Sequence, residues 1–279
     1  MTQSVAYSVL MPLAPWEPPK QVAMALASLK NQTLPPSQVV VSCDGAPPEA
    51  LMNLLAAESL PLELLIGPGS EGVGPVLARG LAYCRYELVV RADADDISQP
   101  DRCAIQMMWM HQHPAVAVMG STINEFVDHP DQPINQRWVP TDGPSIARTA
   151  HSRNPLNHPS VILRRSAVLA VGNYRSVAGF EDYDLWLRML AVHGSEVLVN
   201  VSQPLVLARV GAAHLRRRHG LRYALAEARF FYSCGQQALL PWWSVARNML
   251  IRFPLRLMPS GLLAWVMARR TRQHPGLSQ

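Results

Sequence analysis

Long apolar runs are missing from this 279-residue chain. The longest, residues 262–268, holds about seven residues, far short of the ~20 that a bilayer-crossing helix needs, so no transmembrane helix is expected. Cysteine is scarce as well. Cys43, Cys84, Cys103 and Cys234 lie far apart, with neither metal-ligand nor disulfide-framework spacing, and each reads as a buried small hydrophobe. The opening MTQSVAYSVLMPLAP has no basic stretch ahead of its apolar residues and no small-residue cleavage site after them, which argues against a secretion signal and for a cytoplasmic protein. Repeats and low-complexity tracts are absent. What is present, 49% hydrophobic and 16% charged residues, belongs to a folded globular chain, and at ~150 residues per domain the length fits about two domains or one α/β unit with additions.

Acidic residues are nearly missing from the last quarter. Residues 209–279 carry 12 arginines with Glu227 as their single acid, whereas residues 1–208 carry 13 basic and 19 acidic residues. A mildly acidic body with a basic tail implies an anionic partner for the tail: phospholipid headgroups, a lipid-linked diphosphate or nucleic acid. Pro254 and Pro259 are expected to break residues 240–272 into two short helices. In the first, Trp242, Ala246, Met249 and Phe253 share one face and Arg247 lies off it, the pattern of a helix lying in a membrane interface. This predicts a peripheral protein on the inner face of the cytoplasmic membrane; packing of that face on the body or on a partner is the alternative.

The body reads as alternating strands and helices. Strands are predicted over 7–13, 39–43, 62–66 and 87–91, separated by helical patterns over about 22–32, 51–57 and 76–83. The 39–43 run is continuous and β-branched, as in a parallel strand buried on both faces. Right-handed crossovers then place a binding crevice at the C-terminal strand ends, where Asp44 and Asp93 fall. A helix over 99–113, a strand over 116–119, an irregular polar stretch to about 157, a strand over 161–163, a helix over 181–193 and two strands over 197–201 and 205–210 complete the reading.

Chemistry concentrates in three places. RADADDISQPDR, residues 91–102, crowds Asp93, Asp95 and Asp96 just after a strand, and like charges that close want a cation. Hard oxygen donors at a strand end suit Mg²⁺ or Mn²⁺ with a nucleotide diphosphate completing the shell. The plainer reading is an acidic turn in which Asp96 or Ser98 caps the helix starting near Pro100. Arg91 either pairs with the diphosphate or offsets the adjacent acids. GFEDYDLWLRM, residues 179–189, opens an amphipathic helix with Glu181, Asp182 and Asp184, which the helix dipole alone would favour. Asp44 precedes Gly45 at a strand end, a turn former unless it has company. His158 precedes Pro159, which predicts extended backbone there, with reach to a phosphate or acceptor or a structural hydrogen bond as its two readings. Arg216, Arg217 and Arg218 could clamp a diphosphate or form a solvated face.

Taken in order, SVLMPLAP, SLKNQTLPPSQVVVSCDG, GVGPVLARGLAYCRYELVVRADADDISQPDR, RNPLNHPSVILR and GFEDYDLWLRM resemble the family 2 glycosyltransferases of bacteria, most of all the amylovoran-type enzymes of exopolysaccharide and O-antigen assembly, over about residues 5–275. The resemblance implies an α/β GT-A fold, a Rossmann-like, mostly parallel sheet flanked by helices, here with a basic amphipathic helical extension. The expected division is a transferase domain over 1–210, with a nucleotide-binding half to about 120 and an acceptor half beyond it, and the extension over 211–279. The implied reaction is inverting transfer of a sugar from a nucleotide sugar, UDP-sugar favoured, to a hydroxyl of a saccharide acceptor linked to undecaprenyl diphosphate, with Mg²⁺ or Mn²⁺. By the same resemblance Pro12, Leu13, Arg91 and Ala94 line the donor site, Asp44 contacts the nucleobase and Asp93 the nucleoside. Asp95 ligates the metal, Asp182 is the general base and Glu181 orients.

Two departures from the family pattern bear on the donor. Where related chains often have Asn-x-Gly-x-Gly-Lys, this one has Glu71-Gly72-Val73-Gly74-Pro75, and Ala14 and Pro15 stand where the first loop usually carries an aromatic residue. A sugar nucleotidyltransferase is the second reading, but MPLAPWEPPK lacks the Gly-rich loop with a basic residue expected of one. A nucleic-acid or protein interaction module is the third. The acidic body would repel phosphates, and the tail aromatics follow helical spacing rather than a strand platform, so no nucleic-acid partner is expected.

Overall fold

The computed structural model describes residues 6–211 and 220–258. Contacts divide the chain into two compact units after Val210. In the first, β1 (Ser8–Leu13), β2 (Gln38–Cys43), β3 (Leu62–Ile66) and β4 (Leu88–Arg91) run parallel in the order β3-β2-β1-β4. Helices α1 (Pro19–Lys30), α2 (Glu49–Ala56) and α3 (Val73–Tyr83) connect them. Every residue of β2 is buried, so its unbroken Val39–Val40–Val41 run serves both faces of the sheet. Val9, Met11, Val39 and Val41 point into a core with Val22, Leu26 and Leu29 of α1, while Leu10 and Val40 point oppositely, against Leu77 and Leu81 of α3. Register pairs Leu13 with Cys43 and Cys43 with Ile66, so these strands end level at one edge.

Beyond β4 the sheet turns antiparallel. β8 (Ile162–Arg164) pairs antiparallel with both β4 and β6 (Val118–Phe126), and β6 runs parallel to β9 (Leu198–Arg209). The two-residue β5 (Ile97–Ser98) joins the far side of β9, and β7 (Asn135–Arg137) pairs with β6. Helix α4 (Arg102–Gln112) covers one face, and α6 (Arg165–Ala170) and α7 (Glu181–His193) the other. Trp186, Leu185 and Met189 fill the second core from α7.

Several sequence expectations change here. The two strands expected over 197–201 and 205–210 are one twelve-residue strand. Pro204 cannot donate to the ladder, but the register shifts between Ser121 and Ile123 of β6 absorb it as a bulge, and pairing continues on both sides. β6 runs seven residues past its predicted end at Met119, since β9 offers it a full-length partner. The stretch expected to be irregular holds β7 and α5 (Gly143–Ala150), whose N-cap Asp142 accepts from Ser145 N at 2.8 Å. His158 opens a 3-10 turn, His158–Ser160, instead of lying extended. The turn is imposed around buried Asn157, whose side-chain NH₂ donates to Ser121 O and Arg137 O while its backbone carbonyl accepts from Ser160 Oγ.

In the second unit, α8 (Leu221–Gln236) and α9 (Trp242–Leu257) pack together. Glu227 is buried and accepts from Arg252 and Arg256 at 2.6–3.0 Å, which holds the last turn of α9 despite Pro254 inside it, so the expected break there does not occur. The buried positions of α9 are Ser244, Val245 and Asn248, whereas Trp242, Trp243, Leu250, Ile251 and Leu257 are exposed. Trp242 of the Trp242, Ala246, Met249, Phe253 set lies edge-on to Tyr232 of α8, and Arg252 and Arg256 turn to Glu227 on that same helix. Pro259, the second short helix and Arg216, Arg217 and Arg218 lie outside the described residues.

Candidate active site

The level ends of the parallel strands make one edge, and three groups of side chains stand along it. The first follows β2. Asp44 N donates to Leu13 O, and the Asp44 carboxylate accepts from Glu71 N (2.9 Å) and Gly72 N (3.2 Å), so it ties down the loop that leads into α3. This loop needs glycine: Gly45 and Gly69 have φ of +95° and +92°, and a Cβ on Gly45 would stand 3.2 Å from Gly69 Cα. Arg79 braces the arrangement, donating to Glu71 at 2.5 Å and to Cys43 O at 2.8 Å. Pro12 is half-buried and Leu13 buried on β1 beside it, and Trp16 follows, 67% exposed.

The second group follows β4. Arg102 is fully buried without a carboxylate partner; it donates to Arg91 O, Ser98 Oγ and Gln106 Oε1, and so clamps the strand end from which the acidic loop departs. Arg91 is buried and ion-paired with Asp93. Burial works against the Arg91 charge, but Asp93 more than restores it and keeps the guanidinium firmly protonated. Ala94 is buried, and ligand oxygens of Asp93, Asp95 and Asp96 lie within 4.8 Å of one another. At that separation each pair of charges repels by about 3–4 kcal/mol at an effective dielectric of ~20. Burial, then the charges of Asp93 and Asp95, push the Asp96 carboxyl well above the usual carboxylate range. Neither Asp96 nor Ser98 caps α4: Asp96 Oδ1 accepts from Arg209 N at 2.7 Å, anchoring the loop to the end of β9, and Ser98 Oγ accepts from Arg102. Three hard oxygen donors this close fit a hexacoordinate divalent ion that shares its shell with phosphate oxygens.

The third group opens α7. Asp182 Oδ2 accepts from Asn154 Nδ2 at 2.5 Å and lies 3.9 Å from His158 Nδ1; its Oδ1 accepts from Tyr183 N at 2.7 Å. His158 Nε2 is 3.0 Å from the Tyr174 hydroxyl. Burial, reinforced by Arg91, lowers the His158 pKa well below its ordinary value, so the imidazole is neutral at pH 7. Glu181 behaves oppositely to a surface carboxylate: burial, then the neighbouring Asp182, raise its pKa from 4.5 to about 7. Asp184 faces inward, paired with Arg188 at 2.8 Å, and belongs to the core of α7.

Buried Tyr174 links the second and third groups. Burial raises its pKa, and the charges of Arg91, Asp182, Glu181 and Asp93 all act on its hydroxyl. The structure thus brings Arg91, Asp93, Asp95 and Asp96 into one cluster and Asp182 and His158 into another, with Glu181 beside it. Asp44 stands at the same sheet edge on the other side of β1, with no direct contact to either cluster among those described. Sequence reasoning passed over Asn154, Tyr174, Arg209 and Trp16. Asn154 lay inside the quoted RNPLNHPSVILR segment and Trp16 one residue past Pro15; Tyr174 and Arg209 had no local signal, since only the fold sets them against their partners.

A model of glycosyl transferase family 2 matches residues 15–172. The chain belongs to this family. An uncharacterized glycosyltransferase of Haemophilus influenzae is 36% identical over 92% of this chain and 96% of its own length. The amylovoran biosynthesis glycosyltransferase AmsE of Erwinia amylovora is 31% identical over 81% of this chain and 84% of its own. A UDP-Gal:α-D-GlcNAc-diphosphoundecaprenol β-1,3-galactosyltransferase of Escherichia coli is 28% identical over 96% and 97%. Among solved structures, the mannosyltransferase PcManGT from Pyrobaculum calidifontis, in complex with GDP-Man and Mn²⁺, superposes with a TM-score of 0.63 at 15% identity over 97% of this chain and 76% of that one. S. aureus TarS 1-349 in complex with UDP-GlcNAc gives 0.61 at 16% identity over 82% of this chain; the chain spans 66% of that structure's length. The fold is GT-A, the expected α/β sheet with flanking helices, and the protein is a family 2 glycosyltransferase whose relatives include enzymes named for amylovoran and lipid-linked saccharide assembly. The described residues contain no helix long and apolar enough to cross a membrane.

Proposed function

We propose that this glycosyltransferase moves a hexose, with inversion, from a UDP-sugar to a hydroxyl of a saccharide carried on a lipid diphosphate. The observation that supports this most is the arrangement of the acidic loop after β4 and the Glu181–Asp182 pair around Arg91 and Tyr174. Asp95, with Asp93 and Asp96 beside it, would hold Mg²⁺ or Mn²⁺, which would supply Lewis-acid stabilisation of the charge on the diphosphate. Asp93 and Arg91 contact the nucleoside and diphosphate side of the donor, Pro12, Leu13 and Ala94 line its seat, and Asp44 takes a nucleobase N–H with lone pairs left over from the Glu71 and Gly72 bonds. Trp16 supplies the stacking face that Ala14 and Pro15 lack. Asp182 accepts the acceptor's hydroxyl proton as the oxygen attacks the anomeric carbon from the side opposite the diphosphate. The sugar–phosphate C–O bond breaks, its electron pair leaves with UDP, and attack from the opposite side inverts the centre. The UDP-Gal in the name of the Escherichia coli relative supports UDP, the TarS complex with UDP-GlcNAc agrees while the PcManGT complex holds GDP-Man, and the lipid-diphosphate acceptor follows the Escherichia coli relative.

A thermal-shift screen of UDP, GDP, CMP and dTDP sugars, with and without Mn²⁺, tests the donor reading. A donor at 100 times its Kd stabilises the native state by about 2.7 kcal/mol. The expected result is a metal-dependent rise in Tm with UDP-sugars, lost in Asp95→Ala; no metal-dependent rise with any nucleotide sugar overturns it. Release of pyrophosphate from UTP and a sugar 1-phosphate, with no release of UDP from a nucleotide sugar, would favour the nucleotidyltransferase reading.

The second unit supports a bilayer as a further partner. Trp243 (58%), Leu250 (77%) and Ile251 (49%) are exposed on α9 in a segment whose one acid, Glu227, is already paired with two arginines. Exposed large apolar side chains beside an arginine excess suit an anionic membrane surface, where the lipid-linked acceptor resides. Flotation with phosphatidylglycerol vesicles at low salt is expected to carry the protein; failure to float ends the membrane reading and leaves the chemistry above intact.

A further inference from the structure

Asp182 is held by a bracket that the assignment of a base does not by itself explain. The Asn154 side chain donates to Asp182 Oδ2 at 2.5 Å, and its own Oδ1 accepts from Leu156 N at 3.2 Å. That second bond settles which way the amide points: oxygen toward Leu156, NH₂ toward the carboxylate. Pro155 follows and restricts the Asn154 backbone, Leu156 is buried in the core, and Asn157 is locked by its bonds to Ser121 O and Arg137 O. The bracket is rigid from both sides, and it starts from a segment 28 residues away from the carboxylate it holds.

The other described groups near Asp182 act differently from this contact. His158 stands 3.9 Å from the same oxygen, beyond hydrogen-bond distance, and is neutral. Glu181 adds a like charge when ionised, and Tyr174 and Arg91 act on the Glu181–His158 surroundings through space.

We infer that Asn154 is a positioning residue for Asp182: its amide keeps the carboxylate ionised and fixes which oxygen turns to the acceptor hydroxyl. The inference rests on Asp182 as the proton acceptor. A hydrogen bond donated to the ionised form favours that form, and replacing the donor by an acceptor reverses the effect. Asn154→Asp is the informative variant, since it is isosteric, retains the acceptor for Leu156 N and sets a carboxylate against Asp182.

Titration of the aspartate carboxyls by ¹³C NMR in the full chain, with the Asp182 resonance identified by its loss in Asp182→Asn, reads the coupling directly. Asn154→Ala is expected to raise the Asp182 midpoint by about one pH unit and Asn154→Asp by more. With the donor selected by the nucleotide-sugar screen, the acid limb of the kcat profile is expected to move by the same amounts, kcat to fall about tenfold in Asn154→Ala, and the donor KM and the Tm of Asn154→Asp at its optimum pH to stay near wild type. An Asp182 midpoint that is unmoved in both variants overturns this inference alone. Turnover retained by Asp182→Asn overturns the base assignment, and this inference with it.

Discussion

The two acidic clusters of the first unit contain the same kind of side chain and solve opposite problems. After β4, Asp93, Asp95 and Asp96 are pressed within 4.8 Å of one another, against one buried arginine, and the loop is strapped down by Arg102 and Arg209. Burial and this crowding raise the Asp96 carboxyl well above the usual carboxylate range, and a bound cation would relieve the same repulsion. At the start of α7, Glu181 and Asp182 are adjacent but their surroundings differ. Burial raises Glu181, while Asp182 receives hydrogen bonds from Asn154 and Tyr183. One cluster is built to hold positive charge, and the other sets a carboxyl raised by burial beside one that receives two hydrogen bonds.

The largest way to break that contrast is Asp182→Asn. An asparagine there keeps the volume but cannot accept a hydroxyl proton, and positioned base catalysis is worth about 10² to 10⁴-fold. The expected outcome is a kcat lower by that factor, with metal-dependent donor stabilisation unchanged, opposite in kind to the loss expected of Asp95→Ala. Steady-state kinetics and thermal shifts on both variants check it. A fall in donor affinity in Asp182→Asn equal to that in Asp95→Ala would mean that the two clusters act as one donor site and that the division above is wrong.

How much of this was legible depended on whether the determining partner was local. The order from β1 through β4 was readable because each parallel strand is a continuous apolar run and each helix carries its own period; 62–66 and 181–193 were placed at the residues where they occur. The antiparallel half was not, because β6 and β9 set each other's length: neither the extension of β6 to Phe126 nor the passage of β9 through Pro204 follows from either segment alone. The same holds at the site. The three aspartates of DADD were visible as a cluster because they are neighbours in the chain. Asn154, Tyr174 and Arg209 reach their partners only after the sheet is formed, and the stripe of α9 that faces α8 is set by Glu227, a partner outside its own segment. Local reading finds charges that crowd along the chain and misses the groups that reach them from distant segments.

The smaller effect, and the one that sharpens the contrast most, is in Glu181. Its pKa is raised from 4.5 to about 7 by burial first and the Asp182 charge second. The folded state therefore binds this proton more tightly than the unfolded state, and the stability it contributes is complete below about pH 4.5 and lost as the pH rises through about 7. Glu181→Gln carries no titrating proton and cannot lose that contribution. Relative to the variant, wild type is expected to lose about 1–3 kcal/mol between pH 4.5 and 8, read as a steeper fall of Tm with pH in the absence of metal and donor. Parallel Tm profiles would place Glu181 among ordinary solvated carboxylates. Because Asp182 is the second cause of the shift, Asp182→Asn should flatten part of the same slope, and the size of that part measures how far the two neighbouring carboxylates sense each other.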